Sequence, residues 1–240
     1  MFPYDPKILA ILQTAPASIA DVLATMQSID ALTGDGDGLK WFNLLYFQVT
    51  QAVEARVSSG GFSDAAFLSL LDVQFAQLYF NALRDFLSNT ALPDCWQTLF
   101  AHRNETALTR IQYALAGVNS HINHDLPSAL VATCAIADIA PQHGTTQYHD
   151  YTTLNSTLDS LIDQAKTELN VRFLGDTLPG ASRLENTLAA WSVTAARESA
   201  WNNAELLWRL RAEAGLTAAF LNTLDGLTSV INKTLLIPLP

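Results

Sequence analysis

The run of residues 117–127 constrains this chain more than any other part of the sequence. It places two of the five histidines, an aspartate and two asparagines inside the otherwise apolar segment 111–139. A buried helix has no packing reason to carry so many polar groups, because each one costs free energy unless it finds a partner. Pro127 then removes a backbone donor and should disturb the turn before it. We therefore predict a buried polar cluster on a central, kinked helix.

The two histidines and the aspartate of this run share one helix face. His121, His124 and Asp125 are spaced at i, i+3 and i+4, so their side chains project in the same direction. Two imidazoles and a carboxylate beside a helix distortion can bind a divalent metal, or they can perform acid–base chemistry. A polar cluster that only ties buried helices together would use the same residues. The sequence alone leaves these alternatives open.

Composition excludes several classes of partner. The 240 residues carry a net charge of −10 at pH 7. Nucleic acids and anionic membranes bind clusters of Lys and Arg, so neither is expected as a partner. No apolar run reaches the roughly 18 residues of a membrane span, and the N-terminus lacks the basic region of a signal peptide. Only 15% of the residues are charged, which indicates extensively buried helices or a possible homo-oligomer.

The cysteines indicate the compartment. Cys95 and Cys134 are the only two in the chain, too few for a disulfide framework or a cysteine metal site. Both lie in apolar surroundings, as buried thiols do in reducing compartments. We therefore predict a cytoplasmic protein.

Hydrophobic periodicity predicts an all-α protein with a single domain, residues 1–240, and about seven or eight helices. Apolar residues recur at helical spacing, and no stretch alternates as a strand does. Capping residues mark helix starts at Ser18, at Ser63 or Asp64, and at Pro93. The longer helices are predicted at about residues 18–31, 39–57, 64–88, 107–140, 184–214 and 216–233.

Other polar residues fall where they can join the central cluster. Asp72 lies among apolar residues of its helix, so its carboxylate should be buried and should require a cation or hydrogen-bond donors. Tyr46 belongs to a polar line on the helix 39–57. A predicted loop, residues 141–151, can bring two further side chains towards the centre. The possible additional members of the site are His149, Asp150, Asn119 and Asn123.

Several segments resemble an uncharacterised bacterial all-helical family, known only as a domain of unknown function. They are residues 41–50, 71–80, 112–127 and 149–155, and the run His-Ile-Asn-His-Asp-Leu-Pro at 121–127 is the most specific of them. The resemblance covers roughly residues 39–163. It implies a shared fold and no particular reaction.

A weaker likeness is to the helical zinc phospholipase C and nuclease group. Proteins of that group use a histidine and an aspartate four residues later as zinc ligands, in a helix that breaks soon afterwards. His121, Asp125 and Pro127 match this arrangement. The group also uses an N-terminal tryptophan and more histidines than this chain has, so the likeness implies one or two metal ions here and not three.

Three hypotheses about function follow. The first is a metal-dependent, hydrolytic enzyme acting on a small apolar or ester-type substrate. Zinc is the preferred metal and iron or manganese are alternatives, with His121, His124 and Asp125 as ligands. The second is a metal-free acid–base enzyme of the cyclase, isomerase or lyase type, acting on a hydrophobic metabolite. The third is a non-catalytic binding module. The predicted catalytic residues are His124, Asp72 and Tyr46.

Overall fold

The computed structural model describes residues 2–161, 163 and 192–238, and every regular element in these ranges is helical. The elements are α1 Asp5–Ile11, α2 Ile19–Leu32, α3 Gly38–Ser58, α4 Ala65–Leu87, α5 Asp94–Ala101, α6 Arg110–Ser120, the π turn His121–Asp125, α7 Leu126–Ile136, α8 Thr146–Thr153, α9 Val193–Leu210 and α10 Ala214–Leu235. The all-α prediction is confirmed. No helix in these ranges has both the length and the apolar character needed to cross a bilayer. The predicted start of the helix 184–214 lies outside the described residues.

Capping residues start several helices at the predicted positions. The Ser18 hydroxyl accepts a hydrogen bond from the backbone N–H of Asp21 at 3.2 Å and starts α2. Oδ1 of Asp64 accepts from the N–H of Phe67 at 3.0 Å and starts α4. Each bond satisfies a backbone donor that has no partner inside its own helix.

Helix α8 begins earlier than predicted. The Thr145 hydroxyl accepts from the backbone N–H of Tyr148 at 3.2 Å and caps the helix. As a result, His149 and Asp150 lie inside a helix and not in a loop. The sequence interpretation missed this cap, and the predicted swing of these two side chains towards the centre is wrong for that reason.

Gly117 allows α3 and α6 to pack at close range. A Cβ atom at this position would collide with the ring of Phe42, so only glycine permits this approach of the two helices. The approach brings the residues that follow Gly117 against α3. The ring centroids of Tyr46 on α3 and His121 in the π turn are 4.5 Å apart.

The π turn interrupts the predicted central helix, residues 107–140. The backbone N–H of Leu126 donates to the carbonyl of His121, five residues back, instead of to the residue four back as in an α-helix. Pro127 has no N–H to offer to the carbonyl of Asn123, which explains why the α-helical ladder is broken here. The predicted disturbance of the turn before Pro127 is confirmed. The π turn contacts α4, α9 and α10, so it lies in the middle of the helix packing.

The core beside the π turn is aromatic. Phe42, Tyr79 and Trp96 are buried, with ring centroids between 5.0 and 5.5 Å apart. Edge-to-face and tilted pairs of this kind stabilise a core beyond the area that they bury. The polar cluster is therefore enclosed by rigid side chains on the side of α3, α4 and α5.

Helix α10 faces the core with polar side chains and solvent with apolar ones. Thr228, Ser229 and Asn232 are buried, whereas Leu227 and Val230 are each 62% exposed. An exposed apolar face of this kind is compatible with the predicted homo-oligomer, which stays a prediction.

Candidate functional site

The carboxylate of Asp125 accepts hydrogen bonds from three side chains. Nδ1 of His121 lies 2.9 Å from Oδ2, and Nε1 of Trp96 on α5 lies 3.0 Å from the same oxygen. Nδ1 of His124 lies 2.7 Å from Oδ1. Asp125, His121 and Trp96 are buried, so these bonds form in a medium where they are stronger than in water.

Asp125 is ionised at neutral pH. Burial on its own would raise the pKa of this carboxyl, but the hydrogen bonds from His121 and His124 outweigh burial and lower the pKa below its ordinary value. An ionised carboxylate can only accept hydrogen bonds. Both histidines must therefore carry their proton on Nδ1.

His121 is neutral, and its other ring nitrogen carries a lone pair. Burial lowers the pKa of His121 below its ordinary value, although Asp125 opposes this effect. The imidazole stacks on the ring of Phe75, with centroids 3.4 Å apart and planes 6° from parallel. Nε2 is buried and has no hydrogen-bond partner within the described part of the chain. The Asp125 bond and the Phe75 stacking thus fix an imidazole whose basic nitrogen is unused.

His121 lines a small cavity with mostly apolar walls. The cavity has a volume of about 60 Å³. Its polar side chains are His121, Tyr46 and Arg197. The remaining lining residues are Phe42, Leu45, Val49, Phe75, Val118, Ile122, Leu158 and Val193. Apolar walls with a few convergent polar groups are typical of sites for small molecules.

A second cavity of about 50 Å³ lies beside the first and is lined by Asp72. Tyr46, Phe75 and Arg197 line both cavities. Oδ2 of Asp72 is buried and has no hydrogen-bond partner among the described residues, and the same holds for the Tyr46 hydroxyl. Burial, with a smaller effect of the Glu54 charge, raises the pKa of Asp72 to about 7. The Asp72 carboxyl therefore exchanges a proton near neutral pH.

The sequence matches one family model over most of its length. That model, described as a family of unknown function (DUF5995), covers residues 19–238. The chain belongs to family DUF5995. No curated protein and no solved structure matches it. Membership of DUF5995 confirms the resemblance to an uncharacterised family and extends it beyond residues 39–163. The likeness to the zinc phospholipase C and nuclease group receives no support from these comparisons.

The three predicted metal ligands of this DUF5995 protein are hydrogen-bonded to one another. His121 and His124 each direct Nδ1 at Asp125, and an ion between them would have to replace both bonds. In the ranges that the structure describes, no group of three or more His, Cys, Asp or Glu side chains is placed to hold a metal ion. The arrangement does not fit one ion held by all three side chains, and metal binding stays a prediction.

His124 bonds to Asp125 but lines neither of the two cavities. Its Nδ1 bonds to Oδ1 of Asp125, and it is not among the residues that line either cavity. Burial would lower the pKa of His124, but the hydrogen bond and the charge of Asp125 outweigh burial and raise that pKa. In this DUF5995 protein, the geometry therefore favours His121 over the predicted His124 as the reacting imidazole.

Of the four remaining predicted site residues, three form hydrogen bonds that join helical elements and one is exposed. Nδ2 of Asn123 donates to Oδ1 of Asn119 at 2.8 Å, and Nδ2 of Asn119 donates to Oδ1 of Asn232 on α10 at 2.8 Å. Asp150 accepts from the backbone N–H of Asp64 at 2.6 Å and supports the start of α4. His149 is exposed. None of these four predicted residues lines the two cavities.

Two residues that the sequence did not point to contribute to this region of the structure. Trp96 donates to Asp125 from a position 29 residues earlier in the chain, and no local pattern connects the two. Arg197 donates to Oδ1 of Asn155 at 2.7 Å and to the carbonyl of Tyr151 at 2.8 Å.

Proposed function

We propose that this protein is a metal-free acid–base enzyme of the isomerase or lyase type, acting on a small and largely apolar molecule. The observation that carries the proposal is that His121, whose Nε2 has no hydrogen-bond partner among the described residues, lines an apolar cavity. The Asp125 carboxylate holds the ring by its Nδ1 and would stabilise the imidazolium that forms when Nε2 accepts a proton. The carboxylate of a Ser-His-Asp triad acts on its histidine in the same way.

A proton donor lines the neighbouring cavity, which shares Tyr46, Phe75 and Arg197 with the first. The Asp72 carboxyl, with a pKa of about 7, is partly protonated at neutral pH. His121 would remove a proton from the substrate, and Asp72 would return one at another atom. Environments that shift the pKa of one group up and of its neighbour down are typical of acid–base pairs in enzymes. Tyr46, whose pKa burial raises well above its ordinary value, would stay protonated and donate a hydrogen bond to the substrate.

Proton exchange with solvent tests this proposal and does not require the product to be identified. A panel of small ketones, aldehydes and carboxylic acid derivatives would be incubated with the enzyme in D2O, and loss of C–H signals would be followed by NMR. We expect exchange with the wild type and a fall of about a hundredfold or more in His121→Gln. His149→Gln is the matched control, because this histidine is exposed and lines neither cavity.

The metal-dependent hydrolase predicted from the sequence is tested with the same samples. Metal content of untagged protein would be measured by mass spectrometry, and exchange would be repeated after chelation. Full exchange by metal-free protein supports the acid–base proposal. Activity that requires added zinc, iron or manganese, and is lost in a His121→Ala/His124→Ala double variant, would contradict it. A folded wild type without turnover of any substrate, with His121→Gln merely less stable, would favour the binding module.

We also propose that the protein resides in the cytoplasm. Cys95 and Cys134 are both buried free thiols, which supports a reducing compartment. Fractionation of cells that make the untagged protein would test the location.

A further inference from the structure

We infer that Arg197 binds the carboxylate of a small apolar carboxylic acid in the cavity that His121 lines. This inference deepens the proposed function, because it rests on the same cavity and names the class of molecule that enters it. Four observations lead to it: the fixed position of the guanidinium, the lack of an ion pair to it among the described residues, the contrast with another buried arginine, and the character of the cavity walls.

The guanidinium of Arg197 is held in place from several directions. Its Nε donates to Oδ1 of Asn155 at 2.7 Å, and its Nη2 donates to the carbonyl of Tyr151 at 2.8 Å. The Tyr151 ring lies under the guanidinium, 3.9 Å from its carbon, and the Tyr151 hydroxyl donates to the carbonyl of Arg197 at 2.7 Å. The cation is therefore pre-organised, so little side-chain entropy is lost when it binds an anion.

No carboxylate forms an ion pair with Arg197 in the part of the chain that the structure describes. The charge of Asp159 acts on Arg197, but the Asp159 carboxylate accepts from the Thr194 hydroxyl and not from the guanidinium. Arg197 is 6% exposed, and the neutral oxygens of Asn155 and Tyr151 accept its hydrogen bonds. Asp72 and Arg197 both line the second cavity, but the two side chains form no ion pair. A buried cation is costly unless an anion compensates it.

Arg103 shows how this protein compensates a buried guanidinium elsewhere. It is 4% exposed and forms ion pairs with two carboxylates, Asp5 at 3.0 Å and Asp37 through two hydrogen bonds. The two arginines are thus buried to a similar degree, but of the two only Arg103 forms ion pairs with carboxylates of the described residues. We take the difference to mean that the anion of Arg197 is a ligand.

The walls of the cavity select the rest of the ligand. Apart from Arg197, His121 and Tyr46, the larger cavity is lined by aliphatic and phenylalanine side chains. Volumes of about 60 and 50 Å³ admit only a short molecule. A short aliphatic acid meets both requirements, because its carboxylate pairs with the guanidinium and its carbon chain lies against Val49 and Phe75, beside Nε2 of His121. An inorganic anion would leave the apolar walls without a partner.

Calorimetric titration of the complete protein tests the inference with matched probes. Butanoate, 3-methylbutanoate and hexanoate would be compared with the corresponding amides, which have nearly the same shape and no charge, at constant ionic strength. We expect at least one acid to bind about tenfold or more tightly than its amide, as for a charge-assisted pair in a buried site. Equal affinities for acids and amides, or no binding of any acid, would overturn the inference.

Variants assign the charge preference to Arg197. Arg197→Met should remove the roughly tenfold preference for the acid over the amide, whereas Arg197→Lys should retain part of it. Arg209→Met is the control on the same helix, since its side chain is 75% exposed. Wild-type acid binding in a folded Arg197→Met protein would also overturn the inference. If Arg197→Met does not fold, the comparison of acid and amide in the wild type still decides.

The two proposals fail in different ways. His121→Gln should still bind the acid, because the carboxylate contacts Arg197, while proton exchange is lost. Acid binding that depends on Arg197, without exchange in any protein, would support a carboxylate-binding protein and contradict the enzyme proposal. Exchange that needs His121 but shows no preference for acids would retain the enzyme and reject Arg197 as the anion site.

Discussion

Nδ1 of His121 lies 2.9 Å from Oδ2 of Asp125, and the two residues are the first and last of a single π-helical turn. The same turn places His121 at a cavity wall and leaves Asp125 within reach of Trp96 on α5. The orientation of the imidazole is therefore determined by backbone geometry as well as by a carboxylate. Four substitutions test how much the site and the fold depend on this arrangement.

Asp125→Asn should destabilise the protein by at least about 2 kcal/mol. The amide offers one acceptor oxygen where the carboxylate offered two, so one of the three donors around it is left buried without a partner. Urea unfolding measures the change. Asp138→Asn is the control, because Asp138 is exposed and its φ of 54° suits asparagine. A stability equal to that of the control would show that the three hydrogen bonds contribute little.

Trp96→Phe removes the indole donor and keeps an aromatic ring in the core. We expect a loss of about 1–3 kcal/mol in the free energy of unfolding, beyond the loss in Trp41→Phe. Trp41 is also buried, but its indole nitrogen makes no hydrogen bond within the described ranges. A difference near zero between the two variants would mean that Asp125 does not depend on Trp96.

Asp72→Asn should change how stability varies with pH. The folded pKa of Asp72 is about 7, above its ordinary value of 3.8. The stability that this carboxyl contributes is therefore fully present below about pH 3.8 and is lost as the pH rises through about 7. Relative to the wild type, the variant should gain stability between pH 4 and pH 8, by an amount on the order of a few kcal/mol.

Unfolding free energies at several pH values, compared with those of Asp138→Asn, measure this effect. A stability difference between Asp72→Asn and the wild type that does not change with pH would contradict the raised pKa. It would also remove Asp72 as the proton donor of the proposed enzyme.

Gly117→Ala should destabilise the protein by about 1–3 kcal/mol, because the new methyl group meets the ring of Phe42. Gly226→Ala on α10 is the matched substitution, since a Cβ there has no neighbour within 4 Å. It should raise stability by about 0.5–1 kcal/mol through the higher helix propensity of alanine. Thermal unfolding would measure these two opposite changes in stability. Equal shifts would mean that the Phe42 ring can move aside.

The sequence predicted those parts of the structure that depend on local chemistry. Ser18 and Asp64 cap helices because their side chains reach backbone donors a few residues ahead, and Pro127 breaks the central helix because it lacks a donor. The burial of Asp72 followed from its apolar neighbours in one helix.

Contacts between distant segments could not be read in the same way. The face of Asp125 that meets Trp96 depends on how α5 packs, and the partners of Arg197 come from residues 151 and 155, more than 40 positions away. The interpretation of 141–151 as a loop failed because several helix-breaking residues there outweighed a single threonine cap. The sequence named His124 as a catalytic residue, and that assignment stays a prediction, although it is His121 and not His124 that lines a cavity.

The π turn also makes the central helix respond differently to deletion and to insertion. The turn that closes from residue 126 to residue 121 holds one residue more than an α-helical turn. Deletion of one residue there would restore a regular α-helix and keep the buried face of α7 towards the core, whereas insertion of another residue would rotate α7 by about 100°. Leu130 and Cys134, now fully buried on α7, would then turn away from the core, so an insertion should cost the fold far more than a single deletion.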